Sequence, residues 1–134
     1  MIVERHETMP VKTPDDVVRA RRAVRTLALD VGFSLVDQTK IVTAASEIAR
    51  NTLDYGNGGT LDVEVVRHGV RRGLRLVFAD KGPGIPDIER ALTEGYSSGK
   101  GLGLGLGGAK RLCSEFDIKS APGQGTIVTL VRWK

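Results

Sequence analysis

Gly101-Leu102-Gly103-Leu104-Gly105-Leu106-Gly107-Gly108 sets glycine at every second position and runs straight into Ala109-Lys110-Arg111-Leu112, a stretch with helical character. Glycine lets a backbone approach a ligand closely and adopt positive φ, and a helix start carries unpaired N–H donors at the positive end of its dipole. Together these features suit a polyphosphate. A flexible linker is also glycine-rich, but its spacers are serines, whereas these are leucines that need something to pack against. The run reads as a loop that folds over a ligand.

The chain has 134 residues, which suits one domain spanning 1–134 with a core that needs no disulfides. Its 40% hydrophobic and 27% charged content is ordinary for a folded protein, which argues against disorder. No apolar window approaches a membrane span and Met1–Arg5 lacks a leader pattern, so a cytoplasmic location is expected. Of the net charge of +4, much sits in one segment holding Arg19, Arg21, Arg22 and Arg25, which fits a solvated helix face or a docking surface for an acidic partner. With only 4% aromatic residues the chain lacks the stacking platforms of a single-strand binder, so neither nucleic acid nor membrane is expected as a partner. Cys113, the single cysteine, reads as a small core residue of the last helix. His6 and His68 have no ligand-like spacing.

Residues 2–12 form a candidate edge strand. Thr13-Pro14-Asp15-Asp16 supplies an N-cap, a first-turn proline and two acids ahead of a helix that ends at Gly32. Ser34 caps a second, longer helix that runs to Tyr55-Gly56. Leu61–Val66 and Leu74–Ala79 read as an antiparallel pair closed by Asp80. A short helix is expected from Pro86 through Leu92 and another over Gly108 to Phe116. Two strands, Ile118–Ala121 and Thr126–Trp133, flank the turn Pro122-Gly123-Gln124-Gly125. The expected class is α+β, a two-layer sandwich whose mixed, mostly antiparallel sheet carries helices on one face.

Within the second helix Glu47 and Asn51 are four residues apart and project from one face. A carboxylate and an amide oxygen so placed can act as a proton acceptor and a hard-cation ligand, although an exposed polar stripe fits the same spacing. Asp80-Lys81-Gly82-Pro83-Gly84-Ile85-Pro86 follows a strand, where the acid can accept from an amine-bearing ring lying against Gly82 and Gly84. Gly123-Gln124-Gly125-Thr126 puts a hydroxyl at the head of the last strand. Each segment alone could be an ordinary turn or helix face; their order is what chance rarely assembles. Three other motifs fail. Gly103, Gly105 and Gly108 match G-x-G-x-x-G without the strand and βαβ unit that a dinucleotide site needs, and Gly95–Lys100 is one residue short of a P-loop with Gly101 in place of its Ser/Thr. His6-Glu7 ahead of Pro10 hints at a sensor-kinase phospho-acceptor, but its spacing is wrong.

In that order the segments resemble the GHKL superfamily of ATP-binding domains (Bergerat fold), shared by sensor histidine kinases, gyrase, Hsp90 and anti-sigma-factor serine kinases, and the likeness covers nearly the whole chain. Glu47–Asn51 is similar to the N box, Asp80-x-Gly82-x-Gly84 to the first glycine box, Gly101–Gly107 to the second, and Gly123-x-Gly125-Thr126 to the last. The resemblance implies ATP and Mg²⁺, with Asn51 on the metal, Asp80 accepting from the adenine amine, Thr126 supporting that contact and Glu47 as general base. Gly82, Gly84 and Ile85 would wall the base, and Lys100, Gly101, Leu102, Gly103, Leu104 and Gly105 would meet the phosphates. The doubled Leu-Gly repeat and Glu-Ile-Ala-Arg-Asn string are most similar to the switch serine/threonine kinases of bacterial stress signalling. That implies a STAS-domain antagonist as substrate and a PP2C-type phosphatase as a second partner. An anti-sigma factor with kinase activity and a non-catalytic ATP-sensing module are the alternatives. One departure stands out: three residues past Asn51, where sensor kinases commonly carry a base, this chain has Asp54, leaving Arg50, Lys100 and Lys110 as candidate phosphate cations.

Overall fold

The computed structural model describes residues 1–92 and 105–134. Among these residues nine elements follow one another: β1 (Ile2–Val11), α1 (Pro14–Val31), α2 (Leu35–Asp54), β2 (Gly59–His68), β3 (Arg71–Asp80), α3 (Ile88–Ala91), α4 (Gly105–Arg111), β4 (Glu115–Ser120) and β5 (Thr126–Trp133). The capping chemistry of α1 works in both directions. Thr13 Oγ1 accepts the Asp16 N–H at 3.1 Å, while the Asp16 carboxylate accepts the N–H groups of Lys12 and Thr13. Those bonds, led by the one from Lys12 and joined by the Arg19 guanidinium, hold the Asp16 carboxyl below the usual range. Gly32 ends the helix at φ +94°, the left-handed cap that its position predicts. Ser34 then caps α2 through the Asp37 N–H.

The five strands pair in the order β1-β2-β3-β5-β4, antiparallel at every junction. Inserting β5 between β3 and β4 is the step that brings the end of β3, Asp80, beside the start of β5, Thr126. Alternation sends Leu61, Val63, Leu74, Leu76, Phe78, Val128 and Leu130 to one face, where they join Val17, Ala20, Val24 and Leu27 of α1 and Ile41, Ala45 and Ile48 of α2 in a single core. Each large side chain fully buried there contributes about 1.5–3 kcal/mol. The opposite face carries charged pairs, among them Arg75 Nε on Glu64 at 2.6 Å and the Asp62 carboxylate taking the Thr8 hydroxyl at 2.6 Å. Helices therefore cover one face, and β1 is an edge, as expected.

Several boundaries differ from expectation; β2 and β3, expected over Leu61–Val66 and Leu74–Ala79, run Gly59–His68 and Arg71–Asp80, which draws Gly73 into β3. The one-turn α3 runs Ile88–Ala91 rather than from Pro86, because the Asp87 side chain takes the Arg90 N–H and so sets the helix start. Helix α4 begins three residues early, at Gly105, and ends at Arg111, so Cys113 lies in the turn after it and is only partly buried. Glu115 and Phe116, expected in that helix, open β4 instead: Phe116, Ile118 and Ser120 alternate inward and the strand pairs with β5 from Val131. Period-two alternation over six residues overrides the helical pattern there.

Candidate functional site

A cavity of about 390 Å³ opens between α2, the ends of β3 and β5, the loop after β3, α3 and the start of α4. Ile48, Phe78, Ile85, Leu106 and Val128 make its walls apolar, and Asn51, Asp80 and Thr126 supply polar groups within it. A flat heteroaromatic ring with a few hydrogen-bonding edges is the ligand chemistry such a lining favours.

Asp80 is held by its neighbours. Its Oδ1 accepts the Gly82 N–H at 2.9 Å, an Asx turn that starts the loop, and the residue lines the cavity. The space around it exists because side chains are missing: a Cβ on Gly56 would collide with the Asp80 carboxylate, one on Gly82 with the Gly56 backbone, and one on Gly125 with the Asp80 carbonyl. Gly84, at φ +77°, passes so close to the Ala121 carbonyl that no side chain fits. The loop is strapped to the β4–β5 hairpin by the Gly123 N–H on Pro83 O at 2.6 Å and the Ile85 N–H on Ser120 Oγ at 2.8 Å. Ser120 Oγ also donates to Gly125 O at 3.0 Å, so at the 2.8 Å contact with Thr126 the donor is the threonine. Thr126 is thereby left facing the cavity as an acceptor.

A second hollow, about 450 Å³, lies between α1 and α2 and is lined by Arg21, Arg25, Thr39, Val42, Thr43, Ser46, Glu47 and Arg50. Glu47 is 6% exposed, with three arginines around the same hollow. The two sites share α2. Its Ile48, Asn51 and Thr52, with Tyr55 at its C-cap, face the first, and Glu47, one turn before Asn51, faces the second.

The structure thus gathers Asn51, Asp80, Gly84, Ile85, Gly105 and Thr126 at one cavity and places Gly82 just behind it against Gly56. Glu47 and Arg50 fall in the neighbouring hollow, so Arg50 does not line the cavity for which it was a candidate cation. Lys110 is exposed on α4 and lines neither; Lys100, Gly101, Leu102, Gly103 and Leu104 lie outside the described residues. Sequence reasoning missed three residues. Ser120 had no signal of its own. Tyr55 was read as a helix end and Arg90 as part of a short helix, yet both line the cavity.

Residues 36–134 match the model of the family described as histidine kinase-, DNA gyrase B-, and HSP90-like ATPases. The chain belongs to this ATPase family. It is 42% identical to the serine/threonine-protein kinase RsbT of Bacillus subtilis (strain 168) over 123 residues, 92% of each chain, which places it in the branch of the ATPase family that holds that kinase. An anti-sigma F factor of Pasteuria penetrans is 28% identical over 84% of this chain and 79% of its own length. The crystal structure of the RsbU and RsbW domains of a Mycobacterium tuberculosis protein superposes with a TM-score of 0.63 at 22% identity, covering 97% of this chain and 32% of that one, a likeness of fold.

Proposed function

We propose that the chain transfers the γ-phosphoryl group of ATP to a serine or threonine hydroxyl of a partner protein, acting as one domain over residues 1–134 in the cytoplasm. The observation that carries this reading is the division of α2 between two hollows, with Asn51 in one and Glu47, a turn away, in the other. ATP is the donor implied by membership of the kinase branch of an ATPase family.

In this reading adenine enters the apolar cavity and gives its amine hydrogen to Asp80, with Thr126 accepting directly or through water. Gly82, Gly84 and Ile85 form the backbone wall against which the ring lies. The triphosphate is assigned to Lys100, Gly101, Leu102, Gly103, Leu104 and Gly105 on the sequence argument. Among the described residues no three His, Cys, Asp or Glu side chains cluster as a metal cage. A magnesium ion that takes most of its oxygens from phosphate and water needs no such cage, and the Asn51 amide oxygen in the cavity fits that demand. Bound there, Mg²⁺ would neutralise charge on the transferring group.

Glu47 then accepts the proton of the incoming hydroxyl while that oxygen bonds to the γ-phosphorus and the bond to the β-phosphate breaks, its electron pair leaving with ADP. Arg21, Arg25 and Arg50 around the same hollow suit an acidic surface on the partner, for which a STAS-domain antagonist is the expected substrate; a PP2C-type phosphatase is the expected second partner. The test is incubation with labelled ATP and candidate STAS proteins. Label should pass to one of them, and Glu47→Ala should keep Mg-ATP affinity within a few-fold while losing transfer. Equal transfer by that variant would remove the base. The likeness to an anti-sigma F factor favours a second reading, direct binding of a sigma subunit, which a pull-down with sigma factor decides.

A further inference from the structure

The phosphates of a nucleotide need a cation besides the metal, and the position three residues past Asn51 holds an acid, Asp54, which is exposed and does not line the cavity. Among the described residues that line it, Arg90 is the one arginine or lysine. We propose that Arg90 is the side chain this protein sets against the phosphates of its nucleotide, in place of the missing base at Asp54. The proposal rests on the nucleotide reading given above and adds to it a residue that determines affinity for the charged end of the ligand.

Three observations support it. Phe78, Asp80, Thr126 and Val128 line the cavity from the sheet, whereas Arg90 is exposed and lines it from α3, the element that contacts α4. With a base seated at Asp80 on the sheet side, the sugar and phosphates are left to the helix side of the cavity, which Arg90 lines. The backbone that carries Arg90 is fixed in position. Asp87 Oδ1 accepts the Arg90 N–H at 3.0 Å, and Ala91 N–H and Leu92 N–H close the turn onto Asp87 O and Ile88 O. Finally, among the described residues the competing cations are elsewhere: Arg50 borders the α1–α2 hollow and Lys110 is exposed on α4, while Lys100, the third candidate, lies outside the described residues. Arg90 also takes part in a contact within the protein, and the five donors of a guanidinium allow it to hold that contact and a phosphate together.

The experiment is calorimetric titration of wild type, Arg90→Gln, Arg90→Lys and Arg50→Gln with adenosine, ADP and ATP in magnesium buffer. Arg90→Gln should weaken ATP and ADP about ten-fold, with Arg90→Lys recovering part of the loss and adenosine affinity staying within two-fold of wild type. Because adenosine occupies the same cavity, its unchanged affinity shows that the variant is folded with its base site intact. The proposal is overturned if Arg90→Gln binds ATP like wild type, if adenosine and ATP weaken in equal proportion, or if Arg50→Gln rather than Arg90→Gln causes the selective loss. Failure of the wild type to take up any of the three ligands would instead overturn the nucleotide site, and the arginine's role with it.

Discussion

Ser120 Oγ makes three contacts, taking the Ile85 N–H and the Thr126 hydroxyl while giving its own hydrogen to Gly125 O. Ser120→Ala leaves those groups without partners, at a cost of about 1–3 kcal/mol in unfolding free energy. It also releases Thr126 from its fixed orientation, so adenosine affinity should fall several-fold; a denaturant melt and an adenosine titration measure the two effects, and an unchanged titration would show that Thr126 needs no such support. Gly84→Ala meets both a positive φ, worth about 1–2 kcal/mol, and the Ala121 carbonyl. Adenosine binding should be lost in that variant before the thermal transition disappears. Asp80, Gly82, Gly84 and Thr126 were legible because their spacings are local motifs. Ser120 was not, since only the insertion of β5 between β3 and β4 brings it against Ile85, and no neighbouring residue announces that pairing.

At the level of elements, Arg132 of β5 ties three pieces together, with Nη1 on the Leu112 carbonyl just past α4 at 2.8 Å and Nη2 on Asp37 in the first turn of α2 at 2.5 Å. The Arg132 guanidinium, first by its hydrogen bond, holds the Asp37 carboxyl below the usual carboxylate range. A lowered folded value means that the pair stabilises the protein above the unfolded value of about 3.9 and stops doing so as pH falls through the folded one. Asp37→Asn should therefore lower unfolding free energy by about 1–3 kcal/mol near neutrality, with the gap from wild type closing below about pH 4. Urea melts across that range check both size and sign; a gap that does not narrow as the pH falls below about 4 would place the effect outside this carboxylate. The caps of α1 and α2 were readable because Thr13 and Ser34 act within three residues of themselves. The boundary between α4 and β4 was not, because Leu112-Cys113-Ser114 carries neither a glycine nor a proline stop and β5 decides where the strand begins.

For the molecule as a whole, one core between two helices and one sheet face accounts for the fold, and Cys113 reports on its integrity. Burial pushes its thiol up to about 12, so at neutral pH it is protonated. Ellman's reagent should react slowly with native protein and at once in denaturant, the native rate tracking how often the region between α4 and β5 opens. Rapid labelling in native buffer would contradict this packing. The overall layering was legible from periodicity, and the strand order was not, since it depends on contacts between residues far apart in the chain. The cavity's shape has a consequence for how the protein tolerates change. The wall around Asp80 closes only because Gly56, Gly82, Gly84 and Gly125 carry a hydrogen where any methyl would press on neighbouring protein atoms. In a saturation library, null variants should thus crowd onto positions that exchange no bond with a ligand, and the map of intolerance would outline the mould more sharply than the chemistry.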